Sequence, residues 1–357
     1  KGLFDRLVAE TEEAYKKAKS EIDGLLAKRL KIKPEELMPW DYSDPFFQEA
    51  PDLSEGGGKD ELFKDSDLLK ISLKFFDGIG LDARDILERS SLYEQPDKSP
   101  HAFSFSIDRA NDIRILTNLK NDEYWLSTLI HELGHALYDK YVEKSLPWLL
   151  RQPAHSFTTE GIAQLFERSV KKHAFLQKIA GFTEEKFSGL LPVYEKELRY
   201  RQLIFSRWSA VMVNFEMAAY DNPDQDLNKL WWDLVEKFQH LRKPKDRNEP
   251  DWASKIHIAS APAYYHNYIM GELFASQLLT AIAAENLKKN GASGVSSLKD
   301  VPVEEIRKID FVDMPWTGEY LKEKVFKPGA SKDWREFVKS ATGEYLSPEF
   351  YAKQFLM

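Results

Sequence analysis

Leu3, Phe4, Leu7 and Val8, and later Ile22, Leu25, Leu26 and Leu30, recur at the spacing of one helix face and predict a helix over residues 1–32. From Pro34 to Asp60 the periodicity stops, and Pro39, Pro45, Pro51 and the triplet Gly56, Gly57 and Gly58 mark loops. Helical spacing returns from Asp60 to Arg89, broken near Gly78 and Gly80. Between His101 and Leu119 the period falls to two. Phe103, Phe105 and Ile107 alternate with Ala102, Ser104 and Ser106, and DIRILTNL alternates likewise. Two short strands joined by a turn at Asp108–Asp112 follow from that pattern. A long helix comes next, with Asn121 or Asp122 as its cap and Leu126, Leu129, Ile130, Leu133 and Leu137 as its buried stripe. Pro147 and Pro153 mark a loop before a helix from about Thr158 to His173. Residues 184–242 read as mostly helical, and HLRKPKDRNEPDW as a polar loop. Ala263 to Asn290 reads as a long helix ended by NGASG. Further helices are expected near Val303–Ile309, Trp316–Phe326 and Lys332–Ser340. The pattern predicts a mostly α chain with one small antiparallel sheet. No linker separates two composition regimes, so a single domain over residues 1–357 is expected.

Composition narrows the chemistry. The 357 residues carry a net charge of −8 and no basic stripe, which argues against a nucleic-acid partner. The run Lys171, Lys172 and His173 reads as a solvated helix end. With no cysteine, disulfides, thiolate metal sites and cysteine nucleophiles are excluded, and any metal must be held by His and carboxylates. No apolar run reaches the ~20 residues of a membrane span. The chain begins KGLFDRLVAE, without Met and already in helical pattern, so a processed or truncated piece of a longer protein is expected. The compartment, cytoplasmic or extracytoplasmic, stays open.

The helix STLIHELGHALYDKY carries His131, Glu132 and His135 in an HExxH pattern. Residues four apart stack on one helix face, so two imidazoles converge on one point, as tetrahedral zinc requires. Glu132 lies about 100° around the helix, beside that point, where a base for a metal-activated water belongs. The ordinary alternative is three chance polar residues on a buried helix, at a high desolvation cost. A third ligand is needed. Glu160, 25 residues beyond His135 in TTEGIAQLFER, is one candidate, and His155 is its rival. Glu160 could instead merely complement a helix dipole. Glu167, seven residues on, shares a face with Glu160 and can support the ligands. For an oxyanion, KIHIASAPAYYHNYIMGEL offers His257, Tyr265 and Tyr268, which could equally be packing residues.

Taken together, HELGHALY, TTEGIAQLFE and KIHI…YYHNY resemble the gluzincin zinc peptidases, which include the angiotensin-converting enzyme family and the thimet oligopeptidase/oligoendopeptidase F family. HAFSF (His101 to Phe105) is similar to the substrate-binding strand of the first, thirty residues before the first motif histidine. The resemblance implies a helical gluzincin fold with its small sheet at the cleft, and one zinc ion on His131, His135 and Glu160. It implies that Ala102 and Ser104 offer main-chain groups and His101 its side chain to a peptide. Lys255, Tyr265 and Gln48 would hold a free C-terminal carboxylate, and Tyr268 and His257 would stabilise the transition state. Two positions depart from the converting-enzyme pattern. Asn267 stands where the animal enzymes carry a chloride-binding arginine, and Gln164 where the family carries an Asp supporting the ligands. Gln164 and the 25-residue spacing resemble the oligopeptidase branch. The family's full-length proteins are longer at the N-terminus, so this chain is expected to be a catalytic part lacking a lid segment.

The expectation is therefore a zinc peptidase acting on short peptides and releasing C-terminal dipeptides. An endo-oligopeptidase indifferent to a free C-terminus is one alternative. A non-catalytic peptide-binding protein on the same fold is another.

Overall fold

The computed structural model describes residues 2–42, 44–51, 59–292 and 294–356. The expected Gly56–Gly58 loop and the Ser293 step of NGASG lie outside them. In chain order the helices are α1 (Gly2–Leu30), α2 (Lys59–Phe63), α3 (Leu68–Gly78) and α4 (Arg84–Arg89). Strands β1 (Phe103–Ser106) and β2 (Ile113–Leu116) follow. Next come α5 (Glu123–Tyr141), α6 (Ser156–Glu167), α7 (Glu184–Phe187), α8 (Leu191–Asp221), α9 (Leu227–Gln239), α10 (Ile256–Ser260) and α11 (His266–Lys289). The last are α12 (Val303–Lys308), α13 (Pro315–Leu321), α14 (Trp334–Thr342) and α15 (Glu349–Phe355). The chain is mostly helical with one two-stranded antiparallel sheet, as its periodicity predicts. No helix among the described residues is long and apolar enough to cross a membrane.

The chain divides into two compact units. One comprises Lys1–Ser54, Val193–Ile269 and Tyr351–Met357; the other comprises Glu55–Pro192 and Met270–Phe350. In the first, Tyr15, Ile22, Phe47, Trp208, Phe215 and Trp231 form a core of near-complete burial. Polar groups taken into it are partnered, as burial demands. Tyr15 donates to the Gln239 carbonyl at 2.7 Å and Tyr351 to that of Gln202 at 2.6 Å.

In the second unit, rings from α3 and α6 meet edge to face, Phe76 lying 5.3 Å from Phe166 and Phe75 6.1 Å from it. The stripe Leu126, Leu129, Ile130, Leu133 and Leu137 of α5 is completely buried. Asp122 is the residue that caps α5, accepting the Trp125 N–H at 2.7 Å.

The sheet belongs to this unit. β1 and β2 pair with Phe103 opposite Leu116, Ser104 opposite Ile115, Phe105 opposite Arg114 and Ser106 opposite Ile113. Asp108 closes the turn by accepting N–H groups of Ala110, Asn111 and Asp112. The far side of β2 is occupied: Ser91 bridges Leu116 in parallel and donates to the Ile115 carbonyl at 3.1 Å. Lys98 fastens that segment, its ammonium donating to the carbonyls of Ser91, Tyr93 and Thr117.

Two expectations change. α6 begins at Ser156 and stops at Glu167, short of His173. Beyond it, Ser169 and Val170 bond back three residues instead of four, to Phe166 and Glu167, which tightens and ends the helix. The basic run after it is consequently no solvated helix end. Lys171 pairs with Glu123 at 2.7 Å, His173 pairs with Glu184 at 2.9 Å, and Lys172 donates to the Ile309 carbonyl. Burial pushes Lys172 down to about 8. The long helix near Tyr268 begins at His266, so Tyr265 precedes it.

Candidate active site

The site is built on two helices in contact, α5 and α6. Their approach depends on Gly134, inside the HExxH motif: a Cβ there would lie 2.8 Å from the Ala163 Cα. A third helix backs them. A Cβ on Gly271 of α11 would lie 2.8 Å from the Glu160 Cβ and 2.7 Å from Gln164 Oε1. One on Gly161 would lie 2.7 Å from Phe274 Cδ1. Three helices thus meet almost backbone to backbone behind Glu160, which only glycine permits. The buried ion pair of Arg168 with Glu272, and the Arg168 bond to Ser276 at 3.0 Å, tie the end of α6 to α11.

This packing brings His131, His135 and Glu160 together, with donor atoms all within 4.8 Å of one another. The two Nε2 atoms are 3.2 Å apart, and each lies 3.8 Å from Glu160 Oε2. A tetrahedral ion at zinc's bond lengths to N and O sets its donors about 3.3 Å apart, so the residues fit the metal. The other ring nitrogens are engaged. His131 Nδ1 lies 3.0 Å from Glu167 Oε2, and His135 Nδ1 lies 2.7 Å from Thr159 Oγ1. When each ring is neutral and donates Nδ1–H to these partners, its Nε2 turns a lone pair inward, the tautomer a metal ligand needs.

Of the two residues that spacing offers as a third ligand, the structure places one in the cluster. His155 is the N-cap of α6 and accepts the Phe157 N–H through Nδ1 at 3.4 Å. Glu160, a turn into the helix, is in the cluster.

Charge in the site follows from burial. On His131 burial opposes the charged form, but the Glu167 hydrogen bond and the charges of Glu167, Glu160 and Glu132 outweigh it and push the pKa up to about 9. Burial and then the charge of His131 hold His135 well below its ordinary value. Burial pushes Glu132 up to about 7, against the pull of His131 and with the push of Glu160 and Glu167. A carboxylate poised near neutrality suits proton transfer.

Beside α5 lies β1. The Ile107 N–H bonds to the Asp112 carbonyl at 2.8 Å, so by alternation residues 103 and 105 turn their main-chain groups toward β2. Ala102, Ser104 and Ser106 then turn theirs to the other edge, which carries no strand among the described residues. His101 is exposed at the start of this stretch.

The remaining sequence candidates assemble in the first unit. Lys255 donates to Gln48 Oε1 at 3.0 Å and lies over the rings of Phe46 and Trp208, 4.6 and 5.1 Å from their centres. Trp208 donates to the Tyr265 hydroxyl. The His257 ring is 4.9 Å from that of Tyr265, and its Nε2 is 3.4 Å from the Tyr268 hydroxyl. Burial, then the Lys255 charge, lowers the His257 pKa, which leaves a neutral imidazole at neutral pH. Such a constellation of cation, amide and hydroxyl can take a carboxylate.

Sequence reading missed Thr159, Gly271, Arg168, Glu272 and Trp208. Thr159 adjoins Glu160 and was within reach of the same argument. The others carry no spacing signal, because their roles depend on how helices distant in sequence meet.

A family model described as angiotensin-converting enzyme, peptidase M2, matches residues 59–352. The angiotensin-converting enzyme of Theromyzon tessulatum is 24% identical over 319 residues, covering 85% of this chain and 49% of that protein. That of Mus musculus is 24% identical over 292 residues, 77% of this chain and 20% of that protein. The angiotensin-converting enzyme-like protein Ace3 of Mus musculus is 24% identical over 301 residues, 80% of this chain and 37% of that protein. The chain therefore spans about half the length of the first relative and less of the others. With a family match running from α2 into α15, the chain belongs to the angiotensin-converting enzyme family of peptidases.

Proposed function

We propose that this protein is a zinc-dependent metallopeptidase that hydrolyses short peptides and releases C-terminal dipeptides. The observation that carries the reading is the convergence of His131 Nε2, His135 Nε2 and Glu160 Oε2, with the buried Glu132 beside them. One zinc ion per chain would be held by those three residues. When bound, zinc supplies Lewis-acid polarisation of water and carbonyl oxygen. Glu132 takes a proton from the attacking water and delivers it to the departing amine. Glu167 and Thr159 keep the imidazoles in register, and Gln164 backs Glu160. Main-chain groups of Ala102 and Ser104, with His101, hold the peptide as an added strand.

From the family pattern, Tyr268 and His257 donate to the carbonyl oxygen as it gains charge. Lys255, Tyr265 and Gln48 hold the C-terminal carboxylate. The family match over residues 59–352 runs through segments of both units, which supports reading them as one catalytic domain.

Gln164 supports a second reading. It resembles the thimet oligopeptidase/oligoendopeptidase F branch and favours an endo-oligopeptidase. One assay decides. Zinc-loaded protein is given a short peptide and its C-terminally amidated form. Dipeptide release that drops at least about tenfold on amidation supports the first reading. Equal turnover of both removes it in favour of the second. Absence of hydrolysis from the zinc-loaded chain overturns both and leaves a peptide-binding protein.

A further inference from the structure

The row Phe103, Phe105 and Ile107 is not used by the chemistry above. These residues are 46%, 57% and 53% exposed, an unusual outlay of apolar surface on so short a stretch. The register explains where they point. Ser104 and Ser106 stand opposite Ile115 and Ile113, whose near-complete burial marks that face as the inner one. Phe103 and Phe105 stand opposite Leu116 and Arg114 on the outer face. The same strand that leaves its main chain open on one edge therefore lines that edge with two phenyl rings.

We propose that Phe103 and Phe105 determine specificity, selecting peptides with apolar side chains at two positions separated by one residue. The inference rests on the reading of β1 as the strand that receives the peptide. Main-chain bonds to an incoming antiparallel strand come from Ala102, Ser104 and Ser106. Phe103 and Phe105 thus fall at the non-hydrogen-bonded sites of the new pair, where directly opposed side chains approach most closely. Peptide residues i and i+2 opposite them lie on the same face as the rings and cover them. The intervening peptide residue turns to the inner face, where Ser104 and Ser106 are small. Selection is therefore alternate along the peptide. Arg114, opposite Phe105 on the outer face, is paired with Asp112 at 2.7 Å, so it does not call for an acidic peptide.

The test uses one peptide length with a free C-terminus and two compositions. Leu or Phe is placed at i and i+2 with Ser between, or Ser at i and i+2 with Leu or Phe between. Both are measured for kcat/KM on the zinc-loaded chain and for equilibrium binding to the zinc-loaded E132Q variant. The expected result is a preference of about fivefold between the compositions for at least one placement of i along the peptide. That ratio falls to about one in F103S/F105S. The substituted side chains are exposed, so the variant keeps its core, and far-UV circular dichroism and zinc content verify that. No alternate preference, or one that survives in F103S/F105S, overturns the inference. So does a change in sedimentation with the ratio unmoved, which would assign the rings to a second copy of the chain. Alternate binding without hydrolysis defeats the catalytic reading and keeps this one; hydrolysis without alternation does the reverse.

Discussion

Oε2 of Glu167 lies 3.0 Å from Nδ1 of His131, on the side of the ring away from the metal cluster. If His131 holds zinc as proposed, this carboxylate fixes its tautomer and raises its basicity. Glu167→Ala is expected to weaken zinc binding about 10–100-fold, read by competition with a chromophoric chelator. Unchanged affinity would mean that the contact is incidental.

The same contact sets a pH dependence. In the metal-free protein His131, pushed up to about 9, holds its proton at neutral pH, and zinc must displace it. The sign follows: a bound proton competes with the metal, so apparent affinity rises with pH and levels off above about 9. Between pH 7 and 8 the rise is roughly tenfold. Calorimetry in buffers of different ionisation enthalpy should count about one proton released per zinc at pH 7. Zero release across that range would contradict the assignment.

Glu132→Gln removes the proposed base and leaves the proposed ligands intact. Hydrolysis should fall about a hundredfold or more, with zinc content by atomic absorption still one per chain. Retained turnover at full zinc occupancy would take the base role from Glu132.

Gly271→Ala sets two effects against each other. Alanine improves helix propensity by about 1 kcal/mol over glycine. Its Cβ, however, meets Glu160 Cβ at 2.8 Å and the Gly161 nitrogen at 3.0 Å, and such overpacking costs about 1–3 kcal/mol. Strain wins, and because it falls on Glu160 the variant should lose zinc affinity as well as melting temperature. A stabilised protein with unchanged affinity would show that α11 yields.

Lys255→Met keeps a long stem over Phe46 and Trp208 and removes the charge. KM for a free-carboxylate peptide should rise about tenfold or more, while KM for the amidated peptide stays where it was. An equal rise for both peptides would place Lys255 outside carboxylate recognition.

Much of this site is legible along the chain, because its parts are local. The periodicity switch from two to 3.6 separates the hairpin from α5, and the i, i+4 histidines follow from helix geometry alone. The choice between His155 and Glu160 is not local. It turns on where α6 begins: starting at Ser156 spends His155 on the cap and sets Glu160 a turn inside. The glycine contact of Gly134, Gly161 and Gly271 is silent in sequence for a like reason, since a glycine inside a helix usually signals only weakness. The early end of α6 is silent too, as Arg168 turns to Glu272, more than a hundred residues away.

Ser91 and Lys98 close the outer side of β2 and leave β1 open. A sheet finished on one margin has a single edge of its own left to pair, so the main chain of β1 can be shared out to one strand at a time. Among the described residues, that edge is a single place to compete for, if β1 receives the peptide as proposed. Occupancy by one peptide should exclude every competitor for that edge, whatever its side chains.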